Sequence, residues 1–170
     1  MPSSSKKPLV YLETSFISYL TARVSPIEKV ARDQSATRRW WEKEGPKCEL
    51  FISEIVQDEA RDGDPLQSAL RAVILAPLRS VSATPEAFRL SSKLLAAHAL
   101  PATSSTDALH IALATIYGAD FLLTWNCRHI ANSVTLPVTI RTIIDAGYRP
   151  PVIATPAQRL EEDHDGQSYP

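Results

Sequence analysis

Short apolar runs alternate with longer amphipathic stretches along this chain. Buried strands are predicted over residues 9–12, 49–52, 121–123 and 152–153, with a weaker one over 78–81. Helices are predicted between them, over residues 25–44, 66–75, 85–99 and 107–117, with a further helical segment around Ile55 and Val56. Strands that alternate with helices imply a parallel sheet covered on both faces. The predicted fold is therefore an α/β three-layer α/β/α sandwich with a central parallel sheet.

The composition is that of one globular domain. The chain has 170 residues, of which 44% are hydrophobic and 22% are charged, and this excludes a mainly disordered protein. From about Ala157 onward the sequence turns polar. We therefore expect one domain over residues 1–156 and a frayed, polar C-terminal tail over residues 157–170.

Charge and hydropathy indicate how this protein is expected to interact with nucleic acids and membranes. Lys and Arg total 18 against 19 Asp and Glu, so the net charge is −1, which argues against a strong, indiscriminate binder of nucleic acid. The first eight residues are polar, and no apolar run approaches the roughly 18 residues that a membrane span needs. We expect a soluble, cytoplasmic protein with no membrane partner.

Polar side chains follow the predicted strands at the points where chemistry gathers in parallel sheets. Glu13 directly follows the first strand, and Glu59 lies six residues past Ser53, which ends the second. Asp107 opens a closely packed helix, and Asn126 follows a later strand. Each of the four also fits an ordinary role, as a solvated strand end, part of an exposed acidic face, or a cap.

Taken together, the acidic groups indicate a metal site. Three carboxylates brought close together repel one another and raise one another's pKa, and a divalent cation relieves that repulsion. Ligands that are all oxygen favour Mg²⁺ or Mn²⁺ over zinc. Such a site suits metal-assisted hydrolysis of a phosphodiester bond.

Several other enzyme classes are disfavoured. The chain contains no G-x-G-x-x-G or G-x-x-x-x-G-K-[ST] motif, which argues against a nucleotide-cofactor enzyme on this fold, and it also contains no H-E-x-x-H or G-x-S-x-G motif. A phosphotransfer enzyme on a similar fold would need an aspartate nucleophile after the first strand, where Glu13 stands.

Four segments carry a resemblance to a known family. In chain order they are residues 10–15 (VYLETS), 53–59 (SEIVQDE), 106–112 (TDALHIA) and 122–126 (LLTWN). They resemble the four acidic motifs of PIN-domain ribonucleases, and most closely those of the VapC toxins of bacterial toxin–antitoxin systems. The resemblance extends over roughly residues 8–156.

The resemblance implies a Mg²⁺- or Mn²⁺-dependent endoribonuclease on a PIN-like fold. It implies an RNA substrate, a homodimer and a separately encoded antitoxin as partners. Transferred to this sequence, Glu13, Glu59 and Asp107 would hold the metal, and Asn126 would complete the catalytic set. Substrate contacts are predicted for Thr14 and Thr124, and also for Arg128 and His129, whose alternative role is that of a solvated loop.

Two departures from the family pattern support a different function. The first acidic position of the family is typically Asp, and here it is Glu13; the fourth is often Asp, and here it is Asn126. The alternative is a catalytically weak PIN-like module that binds RNA or a partner protein.

Two further features remain open between functional and structural roles. His110 is either a packed, hydrogen-bonded histidine, which we favour, or a ligand or general base. Trp40 and Trp41 adjoin two arginines, so they fit either an RNA-stacking surface or, more commonly, a core or partner interface.

Overall fold

The computed structural model describes residues 6–165. Within that range the centre of the fold is a five-stranded sheet in which every pair of neighbouring strands is parallel. The strands lie in the order β3-β2-β1-β4-β5. Their bounds are β1 Leu9–Leu12, β2 Glu49–Ser53, β3 Arg79–Val81, β4 Phe121–Leu123 and β5 Val152–Ala154.

Helices connect the strands and pack in two groups around the sheet. Their bounds are α1 Thr14–Thr21, α2 Glu28–Lys43, α3 Glu54–Glu59, α4 Pro65–Leu75, α5 Pro85–Ala96, α6 Ser105–Ile116, α7 Leu136–Asp145 and α8 Pro156–Asp165, with a 3₁₀ turn at Gly45–Lys47. In one group α2 contacts α1 and α8, and in the other α5 contacts α6 and α7. The predicted three-layer α/β/α sandwich is confirmed.

The first strand lies in the middle of the sheet. β1 pairs with β2 on one side and with β4 on the other, with Val10 opposite both Leu50 and Phe121. Val10, Tyr11 and Leu12 are buried because both faces of this strand are covered. The order of connection reverses between β1 and β4, so the carboxyl ends of these two strands flank the crevice in which parallel sheets bind ligands.

The C-terminal segment differs from the expected frayed tail. Residues 156–165 form α8, which packs on α2 and buries Leu160. Thr155 and Gln158 form a reciprocal cap, in which Thr155 N donates to Gln158 Oε1 at 2.8 Å and Gln158 N donates to Thr155 Oγ1 at 3.2 Å. The polar composition marks an amphipathic helix here, so the expectation of a frayed tail is wrong for residues 157–165. Residues 166–170 lie outside the described range.

Other details of the helices also differ from expectation. The sequence interpretation missed α7, where Pro137 occupies the first turn, a position that needs no backbone donor. Trp40 is buried against Phe16 in an edge-to-face contact, so it belongs to the core and not to an RNA surface. Within residues 6–165 no helix combines the length and apolar character that crossing a membrane requires.

Candidate active site

Glu13 lies where β1 ends and α1 begins. Its backbone N–H still donates to Leu123 O at 3.1 Å, which holds the residue in the sheet, while its side chain caps α1. Glu13 Oε2 accepts hydrogen bonds from Ser15 N at 3.1 Å, from Ser15 Oγ, and from Thr124 Oγ1 at 2.7 Å. These three donors fix the carboxylate of a residue that is only 6% exposed.

The second oxygen of Glu13 is left free for another ligand. All the hydrogen bonds to this carboxylate fall on Oε2. Among the described residues, no fully buried side-chain nitrogen or oxygen lacks a hydrogen-bond partner. Glu13 Oε1 therefore keeps contact with solvent, and a cation could bind it without displacing a protein donor.

Glu59 ends α3 and is held by donors from two other elements. Its Oε2 accepts hydrogen bonds from Thr14 Oγ1 and from His110 Nε2, the latter at 3.1 Å. Burial by itself raises the pKa of Glu59, but the hydrogen bond and charge of His110, together with the bond from Thr14, outweigh it. The pKa of this carboxyl therefore lies below its ordinary value.

A buried chain of hydrogen-bonded polar groups ends at Glu59 and holds its side chain in place. Tyr11 Oη lies 2.8 Å from His110 Nδ1 and 2.8 Å from Ser53 Oγ, and all three residues are fully buried. Burial above all raises the pKa of Tyr11; the Ser53 bond opposes this, and the nearby carboxylates add to it. The phenol therefore keeps its proton. His110 Nε2 is the nitrogen that donates to Glu59, and Nδ1 is the nitrogen that shares a hydrogen bond with the Tyr11 hydroxyl.

Asp107 and Asn126 form a second half of the site with His129. Asp107 Oδ1 accepts from Asn126 Nδ2 at 3.1 Å, and Asp107 Oδ2 lies 2.8 Å from His129 Nδ1. The backbone N–H of His129 donates to Asn126 Oδ1 at 3.0 Å. The hydroxyl of Ser104 lies 3.2 Å from the same ring nitrogen of His129 instead of capping α6. Both oxygens of Asp107 thus have partners within the protein.

Thr124 joins the two halves. Its hydroxyl donates to Glu13 Oε2 and accepts from Asn126 N at 2.9 Å. The next residue, Trp125, donates its backbone N–H to Ser15 Oγ at 2.7 Å. Thr124 is fully buried, so its hydroxyl makes these two hydrogen bonds from the protein interior.

The structure brings the predicted residues to one end of the sheet, but in two groups. The potential ligand atoms of Glu13, Glu59 and His110 all lie within 4.8 Å of one another. Asp107 is not part of that group, and metal binding by it stays a prediction. Of the predicted substrate-binding residues, Thr14 and Thr124 bond acidic groups, His129 bonds Asp107, and Arg128 is exposed.

Several site residues were missed from the sequence. Ser15, Ser53 and Tyr11 all bond acidic residues directly or through His110. A tyrosine inside an apolar strand run is a usable signal, because a buried phenol needs a hydrogen-bond partner. His110 is the packed, hydrogen-bonded histidine that the sequence favours, and its partner is now identified as Glu59.

Comparisons with known proteins show which solved structures have a similar fold. The chain matches no family model and no curated protein sequence. It resembles the crystal structure of VapC20 from Mycobacterium tuberculosis, described as a Sarcin-Ricin loop cleaving toxin, with a TM-score of 0.50 and 19% identity over 66% of this chain and 86% of that one. It also resembles a chain of VapBC2 from Rickettsia felis, solved bound to a DNA fragment from their promoter, with a TM-score of 0.56 and 15% identity over 86% of this chain and 98% of that one. The chain therefore shares the fold of the VapC20 toxin, as the four acidic segments of the sequence predict.

Proposed function

We propose that this chain is a metal-dependent endoribonuclease that acts as the toxin of a toxin–antitoxin module. The observation that carries the proposal is the pair of carboxylates from Glu13 and Glu59, which lie close together after the neighbouring strands β1 and β2. One structural neighbour, VapC20, is a toxin that cleaves the sarcin-ricin loop, and this supports the same function.

The donor set fits a hard divalent cation. Glu13 and Glu59 each accept protein hydrogen bonds on Oε2, which leaves the other carboxylate oxygen of each for a ligand. Two carboxylates match the oxygen preference of Mg²⁺ and Mn²⁺, and His110 Nε2, which donates its proton to Glu59, has no lone pair to offer a metal. We assign Glu13, Glu59 and, once its bond to His129 opens, Asp107 as the ligands.

Each part of the site then has a task. A bound Mg²⁺ or Mn²⁺ would orient water and offset the negative charge that develops on the scissile phosphate. His110 and Thr14 hold Glu59 in place, and Asn126 orients Asp107. Arg128, exposed just beyond Asn126, is suited to contact the phosphate backbone of RNA.

The partners follow from the same proposal. The VapBC2 structure is that of a complex, which supports an antitoxin as the protein partner of this chain. The proposal also includes a homodimer that acts on RNA in the cytoplasm.

Cleavage of RNA tests the proposed function directly. The purified chain is incubated with a structured RNA in Mg²⁺, in Mn²⁺ or in EDTA, beside the Glu59→Gln variant prepared in the same way. We expect cleavage that needs the metal and that falls by roughly 10²–10³-fold in the variant, the usual loss when one transition-state electrostatic contact is removed. Equal cleavage in all samples would indicate a contaminating nuclease and would overturn the proposal.

One observation favours the second candidate, a catalytically weak module that binds RNA or a protein. Both oxygens of Asp107 are bonded to Asn126 and His129, so this carboxylate is not free for a metal as it stands. Calorimetric titration with Mn²⁺ separates the two functions, because a module that only binds RNA or a protein need not take up the ion. Uptake of Mn²⁺ together with cleavage would exclude the second candidate.

A further inference from the structure

An aromatic pair lies beside the acidic residues and has no part in the proposed reaction. The rings of Tyr19, on α1, and Trp125, after β4, are stacked with centroids 5.5 Å apart and planes inclined by 17°. Both residues are only half-buried. Trp125 Nε1 donates to Thr37 Oγ1 at 2.8 Å, which fixes the orientation of the indole. The pair is therefore an oriented and partly exposed aromatic surface.

The position of the pair ties it to the candidate active site. Trp125 lies between Thr124 and Asn126, whose side chains bond the acidic residues of the two halves. Its backbone N–H bonds the hydroxyl of Ser15, which in turn supports the carboxylate that follows β1. Ser15 and Tyr19 are four residues apart on one face of α1, a rise of about 6 Å. The aromatic surface thus begins one helical turn from the carboxylates.

A cation accompanies the aromatic surface. Lys29, a 77% exposed residue of α2, forms an ion pair with Asp33 in which Nζ lies 2.9 Å from Oδ2, and its charge acts more weakly on Tyr19. Aromatic side chains next to a positive charge are the arrangement that binds single-stranded nucleic acid, because bases stack on the rings while the cation attracts phosphate.

We propose that Tyr19 and Trp125 form a stacking site for one unpaired nucleobase next to the bond that is cleaved. The inference rests on the proposed function, and it adds that the substrate is single-stranded at this position. A base in a regular duplex is already stacked on its neighbours, so the site would favour loops and other unpaired segments. The alternative is that the two rings only pack α1 against the segment after β4, and the experiment is chosen to separate these roles.

The experiment measures binding without cleavage. Wild-type protein in EDTA is titrated with a short single-stranded RNA and with the same oligonucleotide in which one position at a time is abasic. We expect one abasic position to weaken binding by about 5- to 150-fold, the loss of one base–aromatic stack. An abasic nucleotide at any other position should weaken binding less.

The variants assign that loss to the aromatic pair. Trp125→Leu and Tyr19→Leu should bind the intact and the abasic RNA equally, whereas Trp125→Phe, which keeps a ring, should retain part of the difference. Phe88→Leu is the matched control, because Phe88 is a 55% exposed aromatic residue on α5. Thermal unfolding of each variant checks that the fold is intact, and the two leucine variants alter different elements.

The outcomes separate this inference from the proposed function. A wild-type protein that binds intact and abasic RNA equally, or leucine variants that keep the wild-type difference, would overturn the stacking site even if the protein cleaves RNA. If both leucine variants bind intact and abasic RNA equally, the result supports the stacking site even when the protein does not cleave RNA. A DNA oligonucleotide with the same abasic effect would show that the site takes a base regardless of the sugar, which also supports stacking.

Discussion

The two halves of the candidate active site hold their carboxylates in different ways. Glu13 and Glu59 take their protein hydrogen bonds on one oxygen each, from hydroxyls, a backbone N–H and a buried imidazole. Asp107, in the half with Asn126 and His129, has both oxygens engaged. In the first half each carboxylate keeps one oxygen without a protein hydrogen bond, whereas in the second half a cation on Asp107 would have to displace Asn126 or His129.

The largest effect that we expect is a loss of Mn²⁺ affinity, and it should differ between substitutions in the first and in the second half of the site. Glu13→Gln should lower Mn²⁺ affinity by at least about 100-fold, because it replaces a proposed direct ligand, and even outer-shell changes cost 10- to 100-fold. Asp107→Asn should lower it by less than about 10-fold when no RNA is present, because the Asp107 carboxylate is already engaged. Isothermal titration calorimetry with Mn²⁺ measures both.

Unfolding experiments control for damage to the fold in that comparison. A glutamine at position 13 can place its carbonyl oxygen where Oε2 lies and accept the same three hydrogen bonds, so we expect the free energy of unfolding to change by less than about 1 kcal/mol. If Asp107→Asn abolished Mn²⁺ binding as fully as Glu13→Gln does, the distinction between the halves would fail, and Asp107 would bind the ion without RNA.

A smaller effect should come from the buried support of Glu59. Tyr11→Phe removes the hydroxyl that contacts His110 Nδ1 and Ser53 Oγ. Because the imidazole then keeps a buried nitrogen without its partner, the free energy of unfolding should fall by about 1–3 kcal/mol. Mn²⁺ affinity should fall by about 10-fold or more, since His110 holds Glu59 less firmly. Urea unfolding and calorimetry measure the two losses.

Tyr117→Phe is the matched control, because it makes the same change at an exposed hydrogen bond. Its hydroxyl donates to Ser82 O at 2.9 Å on the surface, so we expect a stability loss below about 1 kcal/mol and unchanged Mn²⁺ affinity. Equal losses of Mn²⁺ affinity in the two phenylalanine variants would contradict a role for Tyr11 in positioning Glu59.

The sequence predicts the first half better than the second for a physical reason. Glu13 directly follows a buried strand, and Glu59 lies on the helix after the next strand in the sheet, so parallel topology alone brings them to one edge. Asp107 and Asn126 are also placed at that edge, but side-chain conformation decides that Asp107 bonds His129. Strand order determines which residues are neighbours, and it leaves open which atoms pair.

The supporting residues depend on contacts between distant parts of the chain. Tyr11 and His110 are 99 residues apart, and the phenol meets the imidazole only after α6 packs on the sheet. A hydrophobic pattern places both residues in the interior without specifying their partners. The C-terminal helix α8 does not depend on such distant contacts. Its first turn is stabilised by the capping box of Thr155 and Gln158, which are three residues apart, so the sequence alone contains this signal.

The smallest predicted effect is a dependence of stability on acid pH that comes from Glu59. Its pKa in the folded protein lies below the ordinary value of 4.5, because the His110 and Thr14 hydrogen bonds outweigh the effect of burial. The unfolded chain therefore binds the proton more readily. The stabilisation is fully present above about pH 4.5 and is lost as the pH falls through the folded-state pKa. Because the side chain is 35% exposed, solvent screening should keep it below about 1 kcal/mol.

The difference in unfolding free energy between wild type and Glu59→Gln, followed by urea unfolding from pH 7 to pH 3, isolates this contribution from the other carboxyl groups. We expect the wild-type advantage to shrink as the pH falls below 4.5. Repeating the comparison in a His110→Asn background should reduce the pH-dependent part, because His110 supplies the main favourable interaction. An unchanged pH dependence in that background would mean that Thr14 alone holds Glu59 and that the buried chain through Tyr11 does not contribute.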